Sequence, residues 1–233
     1  MKKRKRSADG FSLVELLVGT ILFTIVTGIA FSLLMSAQLR YQGESTVTEA
    51  FQQANVALDQ IVRDVHSAGY PPANSFAAGV AFSNPNLVAL PFSWSPGYTN
   101  TPPTPCTIGG SCGAVPGAYD LIVETDLGNG VQWIRYSLVG TTLMRGMVLK
   151  TQFADPVGST TSSLAPYLDN VMNGSNSLPI FFYAYDAGAL PQPSNIREVN
   201  ISLMVRSLQP DPQTKQYRNI TLTGQAVRFN PNQ

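Results

Sequence analysis

The chain has 233 residues, 44% hydrophobic and only 12% charged, so it can bury a core and lacks the composition of a disordered chain. A net charge of +1 argues against nucleic-acid binding, and one histidine with two cysteines leaves too few ligands for a Cys/His zinc cage. The 17 prolines and 19 glycines predict many turns and loops.

The charge is unevenly placed. Residues 1–10 hold five Lys/Arg and one acid, whereas the remaining 223 hold ten Lys/Arg and thirteen acids. A basic leader is thus joined to a mildly acidic body. Residues 11–39 follow with one charge, Glu15, and residues 16–39 with none. About 20 apolar residues suffice to span a bilayer as a helix. Gly19, Thr20, Thr24, Thr27 and Gly28 are small or hydroxylated, which permits close helix–helix approach in lipid. The basic cluster Lys2, Lys3, Arg4, Lys5 and Arg6 predicts a cytoplasmic N-terminus and a body on the opposite side of the membrane. An ordinary cleaved secretory signal fits less well. The apolar run exceeds the usual 7–15 residues of such a signal. Its small-x-small site, Gly28-Ile29-Ala30, is weak. Glu15 is costly inside an apolar segment, about 2.5–3.5 kcal/mol if central, and calls for a partner.

These residues carry a resemblance. The basic cluster followed by Gly10, Phe11, Ser12, Leu13, Val14, Glu15, Leu16, Leu17 and Val18 resembles the prepilin leader of type IV pilins and type II secretion pseudopilins. The resemblance implies cleavage between Gly10 and Phe11 by a membrane-embedded prepilin peptidase. It implies N-methylation of the new Phe11 amine. It also implies that Glu15 meets the N-terminal amine of a neighbouring subunit, where each charge relieves the other's cost in lipid.

Beyond a break expected at Tyr41, Gln42 and Gly43, the residues Val47, Phe51, Ala54, Leu58, Ile61, Val62 and Val65 recur at helical spacing. Glu49, Gln52, Gln53, Asn55, Asp59, Gln60, Arg63 and Asp64 fill the face assigned to solvent. Gly69, Tyr70, Pro71 and Pro72 form a stop signal. One long helix over 11–67 is predicted, apolar all round in its first half and amphipathic in its second.

From residue 71 the pattern reads as strands and loops. A short strand is expected at 86–90. Residues 119–125, a Gly/Asn turn, 131–139 and 143–149 predict a three-stranded meander. Ile134, Tyr136 and Leu138 alternate to one face, with Arg135 and Ser137 on the other. Further strands are expected at 180–185, at 199–206 and over about 217–229, the last two as a hairpin. Residues 93–116 and 155–177 read as long loops. The fold class is therefore α+β: a long N-terminal helix on an antiparallel β-sheet domain. The organisation is leader 1–10, apolar helix 11–40, amphipathic continuation 41–70 and loop-rich β domain 71–233. Cys106 and Cys112 lie in the first loop. With the body in an oxidising compartment, a disulfide closing this short loop is expected, the alternative being two free thiols.

Three shorter stretches extend the resemblance. Residues 58–65 with Ala68, Gly69 and Tyr70 resemble the helix end of PilW-type minor pilins. Residues 131–146, with Leu143 and Arg145, and residues 198–207 resemble both PilW and the J pseudopilin of type II secretion.

Signs of catalysis are few. His66 reads as a charge at the helix C-terminus. Asp120, Glu124 and Asp126 share one strand face and read as solvated. Asp126, Asn129, Asp169, Asn170 and Asn173 are loop oxygens able to ligate calcium, but they fit no EF-hand pattern. No phosphate-binding, dinucleotide or nucleophile-elbow motif occurs. No enzyme activity, cofactor, metal or nucleic-acid partner is expected. Three functions stay open: a minor pilin, a secretion pseudopilin, or a membrane-anchored periplasmic enzyme or binding module. The partners expected for the first two are other pilins, the prepilin peptidase, an inner-membrane assembly platform, and membrane lipid before assembly.

Overall fold

A computed structural model describes residues 12–77, 79–80, 83–93, 117–151, 156–187 and 195–229. One helix, α1, runs unbroken over Leu13–His66, 54 residues and about 80 Å at 1.5 Å per residue. Ser12 caps its start through a capping box with Glu15. Gly69 ends the segment with a left-handed φ of +78°, and a Cβ there would lie 3.0 Å from Pro91 Cγ. Both facts favour glycine.

The break expected at residues 41–43 does not occur. Gly43 is buried within the helix because the 207–218 loop presses on it. A Cβ there would sit 3.4 Å from Asp211 Oδ2 and Pro212 Cδ. The glycine therefore serves close approach rather than a turn.

The body contains two antiparallel sheets. The first has five strands in sequential order: β1 (Phe92–Ser93), β2 (Asp120–Asp126), β3 (Val131–Val139), β4 (Thr142–Leu149) and β5 (Ala165–Leu168). The second has three: β6 (Phe181–Tyr185), β7 (Ile196–Arg206) and β8 (Asn219–Val227). The expected meander and terminal hairpin are thus present, with β7 pairing β8 over its register from Glu198↔Val227 to Arg206↔Asn219. The strand expected at 86–90 is absent; those residues form turns and extended chain that cover the first sheet, and the short strand is β1. The 155–177 segment is not a plain loop. It holds a short helix α2 (Pro156–Thr161), strand β5 and a 3₁₀ turn at Gly174–Asn176. Buried Asn173 organises its end. Its amide donates to Ser202 O at 2.8 Å, and its carbonyl accepts from Met204 N at 2.7 Å. This ties the segment to β7 with hydrogen bonds that composition does not reveal.

The core lies between the second half of α1 and both sheets. Ala54, Leu58, Ile61 and Val65 meet Leu121, Val123, Ile134 and Tyr136 on one side and Ile201, Leu203, Val205 and Leu222 on the other. Each large apolar side chain removed from water there contributes about 1.5–3 kcal/mol. Cys106 and Cys112, and with them the expected disulfide, lie outside the described residues, as do Gly10 and Phe11.

Candidate functional site: an apolar helix end and the clamp that carries it

The first half of α1 presents its apolar residues outward. From Leu13 to Gln42 none is buried; Phe23 is 72% exposed and Leu33 68%. A polar solvent cannot be the final surroundings of such a surface, whose apolar area far exceeds an ordinary exposed patch. The stretch is long and apolar enough to cross a membrane. Two of its hydroxyls are turned back into the helix: Thr20 donates to Leu17 O at 2.9 Å and Thr24 to Thr20 O at 2.8 Å. Threonine is thereby carried without leaving a donor bare in lipid.

Glu15 sits in the first turn. Its Oε2 accepts from the Ser12 backbone N–H at 3.0 Å, while the Ser12 hydroxyl accepts from Val14 N at 3.4 Å. The carboxylate therefore stands at the positive end of the helix dipole, beside the point where Phe11 would begin a cleaved chain.

The second half of α1 is locked to the body by a polar cluster. Asp64, read from sequence as solvent-facing, is 4% exposed. Its Oδ2 accepts from Tyr136 Oη at 2.5 Å and pairs with Arg145 at 2.9 Å. Its Oδ1 accepts from Gln60 Nε2 at 2.7 Å. Arg145 Nε also donates to Tyr136 Oη at 2.9 Å, and the guanidinium lies 5.6 Å from the Tyr136 ring and 6.0 Å from that of Tyr167. Burial, and then the adjacent Asp64 carboxylate, push the Tyr136 hydroxyl pKa well above its usual value. The hydroxyl stays protonated and serves as a donor. Removing one member would strand the others in a low-dielectric core.

A second buried pair braces the first sheet. Lys150 Nζ lies 2.6 Å from Glu124 Oε2, both side chains being essentially inaccessible. Glu124 also accepts from Trp133 Nε1 at 2.9 Å and Leu90 N at 2.8 Å. Arg135 spans Asp120 and the α2 residue Thr161. Asp120 and Glu124 are therefore not solvated, contrary to the sequence reading. They do share one strand face with Ile122, but α2 and the 86–90 segment cover that face. Asp126 caps the β2–β3 hairpin, accepting from Gly128 N at 2.6 Å and Gly130 N at 3.0 Å.

The other singled-out residues are also used within the fold. His66 packs its ring on Phe229, centroids 4.5 Å apart. Asp169 accepts from Thr142 Oγ1 at 2.8 Å. Asp126 and Asn129 stand at one end of β3, and Asp169, Asn170 and Asn173 beside the other, so the candidate calcium oxygens are not brought together. Among the described residues no three acidic, histidine or cysteine side chains form a metal cluster.

A third device holds the helix where it leaves the body. Asp211, in the loop that presses on Gly43, accepts from Gln213 N at 2.8 Å and Thr214 N at 3.1 Å and pairs with Arg218 at 2.6 Å. The backbone N–H groups of Thr214 and Gln213, and then Arg218, hold its carboxyl below the usual carboxylate range.

Residues 5–31 match the family model of the prokaryotic N-terminal methylation motif. That match supports a type IV pilin-like protein in pilus or secretion assembly. The matched segment contains Gly10, Phe11 and Glu15 and runs into the bare half of α1. No curated protein and no solved structure matches the chain. The motif implies processing by a prepilin peptidase and assembly with other pilins, and with the apolar helix it points to a membrane-anchored, pilus-associated protein.

Proposed function

We propose that this chain is a minor pilin, a structural subunit that primes or caps a type IV pilus, and not an enzyme. It enters the inner membrane with its N-terminus cytoplasmic and its β domain periplasmic, and it waits in lipid on the bare half of α1. Prepilin peptidase cuts after Gly10, and the Phe11 amine is methylated. An inner-membrane platform then transfers the subunit into the filament. The observation that carries this reading is the methylation motif at residues 5–31, continuous with a helix whose apolar half is not buried by any of the described residues.

Glu15 is the assembly residue in this scheme. Among the described residues its carboxylate is engaged by the local Ser12 N–H, a bond contributing about 1 kcal/mol. A neighbouring subunit's ammonium, dehydrated in a helical bundle, is a far stronger partner. Exchange of one for the other drives incorporation. The clamp at Asp64 and the loop at Gly43 make the body follow the helix rigidly, so that seating the helix also places the β domain. The lack of charge on residues 16–39 lets the same surface serve lipid first and neighbouring helices later.

The experiment is recovery of the subunit from filaments sheared off cells that express either the wild type or Glu15→Val. The wild type is expected in the filament fraction. The variant should insert into the membrane as well or better, since a charge is removed, and yet be depleted from filaments at least tenfold. Equal recovery would contradict the assembly role of Glu15. Recovery with secretion machinery in place of pili would favour the pseudopilin reading.

A further inference from the structure

Strand β8 ends the second sheet, and its outer edge is open. The hydrogen-bond phase of the β7–β8 ladder is fixed at both ends. Ser207 N donates to Arg218 O at 2.8 Å, and Arg228 N to Arg197 O at 3.4 Å. In an antiparallel pair, residues facing the partner strand alternate with residues facing away. Arg218, Ile220, Leu222, Gly224, Ala226 and Arg228 therefore turn their backbone groups to β7. Asn219, Thr221, Thr223, Gln225 and Val227 turn theirs outward, each with one donor and one acceptor. Among the described residues nothing hydrogen-bonds to those five backbones. The open edge is about 27 Å long at 3.4 Å per residue.

Exposed edges are normally blunted by shortness, proline, bulges or charge. The other edges in this protein are. β1 has two residues, β5 has four including Pro166 and a register shift, and β6 receives Ala118 O on its outer side and carries its own shift. β8 has nine residues, an unshifted register, no proline and no charge. It is also held in place. Leu58 of α1 packs so closely on Gly224 that a Cβ there would come within 2.9 Å of Leu58 Cδ1.

We infer that the outer edge of β8 receives a β-strand from another pilin-like subunit of the same assembly; this rests on the assembly reading above. The occupant's character follows from its surroundings. Around α1, Leu58 faces β8 and Asp64 faces the first sheet; Phe51 and Val62 lie on the Leu58 side, farther from Asp64. Phe51 is 45% exposed. A strand added beside β8 would lay alternate residues over Phe51 and Val62 and the rest along the polar row Asn219, Thr221, Thr223 and Gln225. It is therefore an uncharged strand with alternating apolar residues.

A second copy of β8 does not fit. Contacts from Gly43 to Asp211, Leu58 to Gly224 and His66 to Phe229 show β8 running in the same direction as α1. A two-fold antiparallel pairing of two β8 edges would point the two apolar helix ends in opposite directions. One membrane or one filament cannot hold both. A different subunit, seated on the bare half of α1, reaches the β8 edge directly, because the loop before β8 packs at Gly43 where that half ends.

Thr223→Pro tests this. It removes one outward N–H and leaves the β7 ladder intact, since that N–H does not face β7. With full-length chain in piliated cells, its recovery in sheared filaments should fall at least tenfold, and that of Thr223→Ala less than twofold. The unfolding midpoint in detergent should not move for either. In parallel, a benzophenone side chain at position 223 should crosslink in the cell to a subunit that bears its own methylation-motif leader. Wild-type recovery of Thr223→Pro, an adduct of two copies of this chain, or an adduct to a protein without such a leader would overturn the inference. Should Thr223→Pro lower the midpoint, the crosslink alone decides. Absence of the wild type from filaments would overturn the assembly reading itself, and this inference with it.

Discussion

The two halves of α1 share one unbroken backbone, yet the surroundings of their apolar residues are opposite. Ile21 is 51% exposed, whereas Ile61 is fully buried. Among the described residues no polar side chain of the first half bonds to the body, while the second half spends Asp64 on Tyr136 and Arg145. The difference separates two kinds of apolar surface. One was satisfied when the chain folded. The other waits for lipid or for other helices. Gly43 and the Asp211 loop mark the boundary.

That contrast can be broken most severely at Asp64. Asp64→Ala leaves a buried tyrosine hydroxyl and a half-buried guanidinium without their acceptor, and full-length protein in detergent should lose about 3–5 kcal/mol by denaturant unfolding. A loss below about 1 kcal/mol would show that the cluster does not fasten the helix. The matched pair Ile61→Ala and Ile21→Ala comes next. The first should cost about 2–5 kcal/mol. The second should stay within about 0.5 kcal/mol, because its side chain is exposed among the described residues.

A smaller effect concerns alkaline pH. The Tyr136 pKa is raised in the folded state, chiefly by burial, and those of Tyr183, Tyr185 and Tyr167 are raised too, in each case first by burial. The folded chain thus holds protons that the unfolded chain releases near pH 10. The tyrosines' contribution to stability should be level below that pH and be lost as pH rises through it. Tyr136→Phe should flatten the fall while costing about 1 kcal/mol at neutral pH. An unchanged alkaline slope would remove Tyr136 from the account.

Much of this was legible in the sequence, and the misses share a cause. The long helix, the β2–β3–β4 meander and the terminal hairpin followed from apolar spacing and Gly/Asn turns, which are local signals. Asp64, Glu124 and Lys150 were hidden because one-dimensional patterning assigns charge to solvent. Their burial depends on partners 26 to 81 positions away. One clue was present: Asp120 and Glu124 alternate onto the same face as Ile122, a face that is not wholly polar. Gly43 was misread because a glycine that admits a neighbouring loop looks, in sequence, like one that ends a helix. The 155–177 segment was misread because its order comes from Asn173 bonding to β7, not from apolar periodicity. The leader motif that contains Gly10, Phe11 and Glu15 was legible because it is written in consecutive residues and needs no tertiary fold.

The central claim is that the bare half of α1 belongs to a processed assembly subunit. It is tested most directly by intact-mass and N-terminal peptide mass spectrometry of the chain recovered from its own membranes. The account predicts a mature chain that begins at Phe11 and carries one methyl group on its amine. A chain that still begins at Met1 in cells with an active prepilin peptidase, or one that begins at Phe31 after an ordinary signal cleavage, would contradict it.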